Sequence, residues 1–358
     1  MSVPDQAGKQ QGEAALLSFQ VITDTHVRTD PNHAYNVNLV RALQDLKAQG
    51  QGSAGIMHVG DVTDHGLPEE YAEWQRIWDE HGDSLPPLYL TMGNHDVGLG
   101  NWEERLNQFL RLSGLEGQNI TPDNWKERLE EIRANASSEQ GEGNPDLWKG
   151  QLSDFLHQVV GMEDQDISLE HWQERLARFM EKTGTEDIYH DHWINGYHFI
   201  FLGTEEGLEI FCSLSEEQLT WLDTKLGENS EPNRPVFLFL HQPLKDTVAG
   251  SYEQQKWYGV VQDAELKAVL ARHPQTILFT GHTHWELEAP NNHYDGRGAL
   301  PTMFNAASVA YLWTDEDEHK DGSQGYYIEV YHDHVLVRGR DFTEGEWIES
   351  AQFRVELG

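Results

Sequence analysis

Five short stretches of this 358-residue chain carry residue types that hold metal ions and move protons: Asp24-Thr25-His26, Gly60-Asp61, Gly93-Asn94-His95-Asp96, His241 and Gly281-His282-Thr283-His284. Imidazoles, carboxylates and an amide oxygen suit Mn, Fe, Zn or Co, not a soft thiolate site. The donors are too many for one tetrahedral ion. They fit two ions if one carboxylate bridges. Two ions about 3.5–4 Å apart can clamp a phosphoryl group and lower the pKa of a bridging water. One stretch alone would mean little, because Gly-Asn also makes ordinary turns. The weight comes from five arriving together.

Each stretch follows, after at most two intervening residues, an apolar run of strand length, at residues 17–22, 55–59, 87–90, 236–240 and 276–280. Helical patterns fall between several of these runs, over residues 38–48, 69–80 and 262–272, and from 216 to 226 behind the capping-box pattern Ser215-Glu216-Glu217-Gln218. Strands alternating with helices predict an α/β layered core. In open α/β sheets ligands bind beyond the carboxyl ends of the strands, where the five polar stretches lie. After His284 the chain turns β-rich. Strands are expected over 325–331, 335–340 and 353–357, completing a second sheet.

Residues 100–187 differ in character. The unit Trp-x-x-Arg-Leu occurs at Trp102, Trp125 and Trp172, each followed one turn later by Phe109, Ile132 or Phe179. Those residues share one helix face. This segment reads as a helical insertion within a domain spanning 15–358, with residues 1–14 as a flexible polar tail and 134–144 as a loop. It is expected to cap the site or to form the interface of a homo-oligomer.

The formal net charge of −36 disfavours nucleic acid polymers and anionic membranes as partners. Cys212 is the only cysteine and reads as a buried core thiol. No run of apolar residues is long enough to span a membrane. The first residues lack the pattern of a secretory signal, so the cytoplasm is the expected compartment.

Asp24-x-His26, Gly60-Asp61, Gly93-Asn94-His95-Asp96, His241 and Gly281-His282-x-His284 resemble, in order, the five-block signature of the calcineurin-like metallophosphoesterases. The resemblance implies an α/β fold: a four-layer α/β-β/α sandwich of two mixed sheets flanked by helices, here with a helical insertion. It implies that Asp24, His26, Asp61 and His284 hold one ion, and that Asp61, Asn94, His241 and His282 hold the other, with Asp61 bridging. The ions would be two divalent or mixed-valence transition metals, Mn, Fe or Zn, and a bridging hydroxide would attack phosphorus. His95 would stabilise the phosphate and protonate the leaving oxygen, and Asp96 would orient its imidazole.

Departures narrow the branch. His65 and Asp96 stand where protein Ser/Thr phosphatases carry Arg and Glu, and Asp64 stands where purple acid phosphatases carry a ligand Tyr. The expected activity is hydrolysis of a small organic phosphate ester, most of all a diester. The alternatives are a phosphomonoesterase or nucleotidase of the same fold, and a non-catalytic metal-binding scaffold that uses the insertion. Gln242, Tyr252, Trp257 and Tyr258 are candidates to stack a base or sugar. Asn305 and His65 are candidates to face the site. Asp64 reads as a turn residue. His190 and His192 have no compelling spacing.

Overall fold

The computed structural model describes residues 14–97, 169–229, 231 and 233–357. In chain order the elements are β1 (Leu17–Ile22), α1 (Ala34–Gln49), β2 (Ile56–Val59), α2 (Pro68–His81), β3 (Leu88–Thr91), α3 (Asn94–Val97), α4 (Leu169–Thr183), β4 (His190–Ile194) and β5 (Tyr197–Phe201). There follow α5 (Glu216–Gly227), β6 (Val236–Phe239), α6 (Asp263–Leu270), β7 (Thr276–Thr280), β8 (His293–Tyr294), β9 (Thr302–Asn305), β10 (Leu312–Trp313), β11 (His319–Lys320), β12 (Gln324–Val330), β13 (His334–Asp341) and β14 (Glu346–Glu356).

Two mixed six-stranded sheets form, ordered β14-β13-β12-β1-β2-β3 and β4-β5-β6-β7-β9-β8, with β10 and β11 as a separate ribbon. The β-rich tail does not complete a second sheet as the sequence suggested. Strand β12 pairs antiparallel with β1 and extends the first sheet. The second sheet instead opens with the hairpin β4–β5. Its Asn195-Gly196 turn has positive φ at both residues, as a tight hairpin turn requires.

Side-chain alternation decides the layering. From the first sheet, Leu17, Phe19, Val21, Met57 and Val59 face a core between the sheets, where they meet Phe199, Phe201, Phe237, Phe239, Phe279 and Phe304 from the second. The intervening residues face outward. Ile22, Ile56 and Leu90 pack under α1, α2 and α4. Ile200, Val236, Leu238 and Leu278 pack under α5 and α6. Central strands buried on both faces read as continuous apolar runs, which is how they were found in the sequence. The result is the four-layer α/β-β/α sandwich.

Ser215 caps α5 by accepting the Gln218 amide at 3.0 Å. The reciprocal bond comes from outside the expected box: Glu205, not Gln218, accepts the Ser215 amide, at 2.6 Å. Of the three Trp-x-x-Arg-Leu units, those at Trp102 and Trp125 lie outside the described residues, as does the loop at 134–144. The third lies on α4, where Trp172 and Phe179 join the α2 side of the core.

Phe19 is fully buried and meets Phe199 and Phe237 edge-on, with ring centroids 5.0 and 4.7 Å away. Phe19→Ala should therefore destabilise the fold by about 3–5 kcal/mol. A denaturant titration checks this, and a midpoint equal to the parent's would contradict the central place given to Phe19.

Candidate metal centre

Strands β1, β2 and β3 run parallel, as do β5, β6, β7 and β9, and each group ends at the same edge of its sheet. The turns beyond those ends carry the predicted residues. Five of them, Asp24, His26, Asp61, His282 and His284, have φ between 41° and 70°. Non-glycine residues avoid this left-handed region, and strain of this kind concentrates at functional sites. The flanking glycines answer a different need. A Cβ at Gly93 would overlap the Asp61 carboxylate, and one at Gly281 would overlap Thr23 Oγ1 and crowd Asp24. The Gly-Asn-His and Gly-His pairings thus let two turns close on the carboxylates.

The donors converge in two groups. Asp24, His26 and His284 form one, and Asp61, His241 and His282 form the other. In the first, His26 Nε2 lies 3.0 Å from His284 Nε2, which lies 2.9 Å from Asp24 Oδ1. In the second, His241 Nε2 lies 3.1 Å from Asp61 Oδ2. Asp61 Oδ2 is also 3.7 Å from His26 Nε2, so this carboxylate stands between the groups. Asn94 completes the second group: its Oδ1 is 3.0 Å from His282 Nδ1. Its Nδ2 donates to Glu209 O at 2.7 Å, which fixes the amide with its oxygen inward.

Surrounding carbonyls set the imidazole tautomers. His241 Nδ1 donates to Val59 O at 2.7 Å, which leaves Nε2 as the electron-pair donor. His95 Nδ1 donates to Asp64 O, also at 2.7 Å. His26 presents Nδ1 to Asp64 Oδ1 at 3.1 Å, an acid behind an imidazole of the kind that orients metal ligands.

The residues fit a pair of cations. Asp24 Oδ1 and His241 Nε2 are buried without a well-directed hydrogen bond. Such atoms are costly unless something positive meets them. The charge balance agrees. Burial opposes ionisation of Asp24 and Asp61, yet neighbouring imidazoles hold both carboxyls below the usual range. Burial likewise disfavours the charged form of His26, but Asp24, Asp64 and Asp61 raise it to about 10. His241 goes up to about 9, against its burial, through Asp61 and Asp24. Protons on these two rings answer the charge that metal ions would take over, and metal binding releases such protons. Burial leaves His282 at about 3 and His95 at about 4.

Two sequence expectations need correction. Asp96 does not orient the His95 imidazole. Its carboxylate accepts the backbone N–H groups of Val62, Thr63 and Gly93 at 3.0–3.1 Å, and the hydroxyls of Thr63 and Tyr71. It ties the β2 turn to the β3 turn, and burial beside Asp61 raises its pKa to about 6. Asp64 is more than a turn residue: it meets His26, Arg28 and His65 and supplies the carbonyl for His95. The Gly-Asp-x-x-Asp spacing was the available sign.

Asn305 braces the site from behind, donating to Gly281 O at 2.7 Å and accepting the Ala307 amide. His65 Nδ1 faces Glu70 and Asp64 at 3.0 and 3.1 Å. His190 and His192 pair with each other and with Leu90 O and Phe201, in the packing of β4. Of the four stacking candidates, Tyr252 bonds Thr247 O, Tyr258 lies under Lys245 and Gln242 bonds Ile210 O. Trp257 alone among them sets its ring near a donor, 5.9 Å from His282, and it is 37% exposed. Cys212 is buried, and burial pushes its thiol pKa up.

A fold of two sheets with a strand-end cluster of paired donor groups fits a metal-dependent phosphoester hydrolase, and the wider comparisons agree. The profile of the calcineurin-like phosphoesterase family matches residues 17–286, and the chain belongs to that family. A probable cyclic nucleotide phosphodiesterase of Synechococcus is 27% identical over 324 residues, covering 87% of this chain and 91% of that protein. The purple acid phosphatase of yellow lupin, Lupinus luteus, superposes with a TM-score of 0.54 at 11% identity, over 96% of this chain. This chain spans only 54% of the lupin protein, and the likeness concerns the fold. Among the described residues no helix is long and apolar enough to cross a membrane.

Asp64→Asn keeps the shape at that position and removes the charge behind His26. Outer partners of this kind are worth about 10–100-fold in metal affinity. Calorimetric titration of metal-stripped protein with Mn²⁺ should show one of two sites weakened by that factor. An isotherm identical to the parent's would exclude the role given to Asp64.

Proposed function

We propose that this chain is a dimetal phosphodiesterase acting on a small organic phosphate. The observation that carries the reading is the pair of donor groups with the Asp61 carboxylate between them. Asp24, His26, Asp61 and His284 would hold one ion. Asp61, Asn94, His241 and His282 would hold the other. The mixed nitrogen and oxygen donors suit Mn, Fe or Zn. When bound, two such ions supply Lewis-acid activation of the phosphate and of the attacking water.

The chain's own residues do the rest. His95 has Nδ1–H committed to Asp64 O; its Nε2, unprotonated in the bare site, would take up a proton beside the negative charge of a bound phosphate and pass it to the leaving oxygen. Asp96 keeps the turn that presents His95 closed against the Asp61 turn. A net charge of −36 supports a small substrate over a polyanion, and a singly charged diester over a doubly charged monoester. The name of the Synechococcus relative makes cyclic nucleotides the first natural diesters to try.

Metal-stripped protein restored with Mn²⁺ should hydrolyse bis-p-nitrophenyl phosphate faster than p-nitrophenyl phosphate, and neither without metal. Faster monoester cleavage would favour a phosphomonoesterase or nucleotidase instead. His95→Ala should lower turnover about 10²–10⁴-fold with Mn²⁺ still bound. Undiminished turnover would remove His95 from the chemistry.

A further inference from the structure

Three consecutive carbonyls in the turn after β2 have assigned partners. Asp64 O accepts from His95 Nδ1 at 2.7 Å. His65 O accepts from Arg175 Nη2, and Gly66 O accepts from Arg178 Nη1 at 2.8 Å. Both arginines belong to α4, which is distant in sequence and returns the chain from the segment inserted between β3 and β4. The same turn is fastened from its other side. His65 N and Leu67 N donate to Glu70 Oε2, and Gly66 N donates to Thr63 Oγ1. Its backbone is thus gripped on every residue from 64 to 67.

The grip is built into the helix pattern. Trp172, Arg175, Leu176 and Phe179 share one face of α4, and that face is the one turned inward. Arg175 is only 4% exposed, a costly place for a guanidinium that serves solubility alone. Gly66 makes room for it: a Cβ there would lie 2.6 Å from Arg175 Nη2 and overlap Asp96 O. Helix α4 also packs directly on α3, the turn that carries Asn94, His95 and Asp96.

We propose that Arg175 and Arg178 are positioning residues for His95. They hold the 65–66 peptide units in place, and through them the Asp64 carbonyl that fixes the His95 ring. Helix α4 therefore acts on the site by setting the aim of its proton donor. This rests on the role assigned to His95 above, so its test needs one arm independent of turnover.

The first arm compares Arg175→Met, Arg175→Lys and Arg178→Met on bis-p-nitrophenyl phosphate with Mn²⁺. Misaiming a catalytic group by about 1 Å can cost on the order of 10²-fold. The Met variants should lose roughly 10- to 100-fold in kcat with KM and Mn²⁺ stoichiometry little changed. Arg175→Lys, which keeps one donor for His65 O, should recover part of the loss. The second arm uses ¹⁵N-histidine-labelled protein without substrate. The His95 Nδ1–H cross-peak, assigned by its absence in His95→Gln, should shift or broaden in the Met variants. Folded Met variants with a lower Tm but parental kcat and an unmoved cross-peak would overturn the proposal. A parent protein inactive on both esters would sink the phosphodiesterase reading alone, and the cross-peak would still decide this one. Should Arg175→Met fail to fold, Arg178→Met and Arg175→Lys carry both arms.

Discussion

The carboxylates of Asp24, Asp61, Asp64 and Asp96 are each at most 5% exposed and belong to one site. Four buried acids so close repel one another and lose their hydration, and this is the problem the surrounding structure solves. Each receives a different answer. Asp96 takes backbone N–H groups from two turns. Asp64 takes Arg28 and two imidazoles. Asp24 takes the Thr23 hydroxyl and the His282 amide on one oxygen, and Asp61 takes the His95 amide on one of its own. The remaining oxygens of Asp24 and Asp61 face the Nε2 atoms of His284 and His241; the first is shared with His26 and the second has no well-directed hydrogen bond. That unresolved remainder is what two cations would complete.

Such an arrangement is destabilising by itself. Each donor residue held at positive φ costs on the order of 1–3 kcal/mol. The compensation lies behind the site, in the phenylalanine-rich layer between the sheets. Phe19, Phe237, Phe239 and Phe279 sit on the strands whose next turns carry the donors. Close aromatic packing thus lies directly beneath a cluster of strained turns. Rigid strands ending in strained turns keep the donors preorganised, so little reordering is needed when ions and substrate arrive.

Much of this was legible in the sequence, because the site is made where apolar runs stop. A run such as Val236-Phe237-Leu238-Phe239 announces a doubly buried strand, and a histidine or aspartate at its end has one place to go. What was not legible depends on pairing across long separations. Whether β12 joins β1 or the other sheet is decided by packing that no local pattern encodes. The Asn195-Gly196 hairpin did carry a local sign, but both flanking strands are short and β4 is mostly polar. Asp96 was misassigned because adjacency to His95 suggested contact, whereas in the turn of α3 the two side chains diverge. The partner of the imidazole proved to be a backbone carbonyl, which leaves no mark on sequence.

The acidity of the whole molecule and the chemistry proposed for its site are compatible for a reason of scale. Surface charges act through water and salt, with a screening length of about 8 Å at physiological ionic strength. They retard an approaching anion, and they do so more for two charges than for one. Within the site the buried groups and the ions they would hold govern the field. The bulk charge can therefore bias which phosphate ester arrives without opposing its cleavage, and the bias runs toward the diester. Helix α4 works at the opposite range. It adds no charge visible from solution at Arg175, yet its guanidinium reaches the turn on which His95 leans. Selection by long-range charge and aim by short-range hydrogen bonds can thus vary separately on the same metal centre.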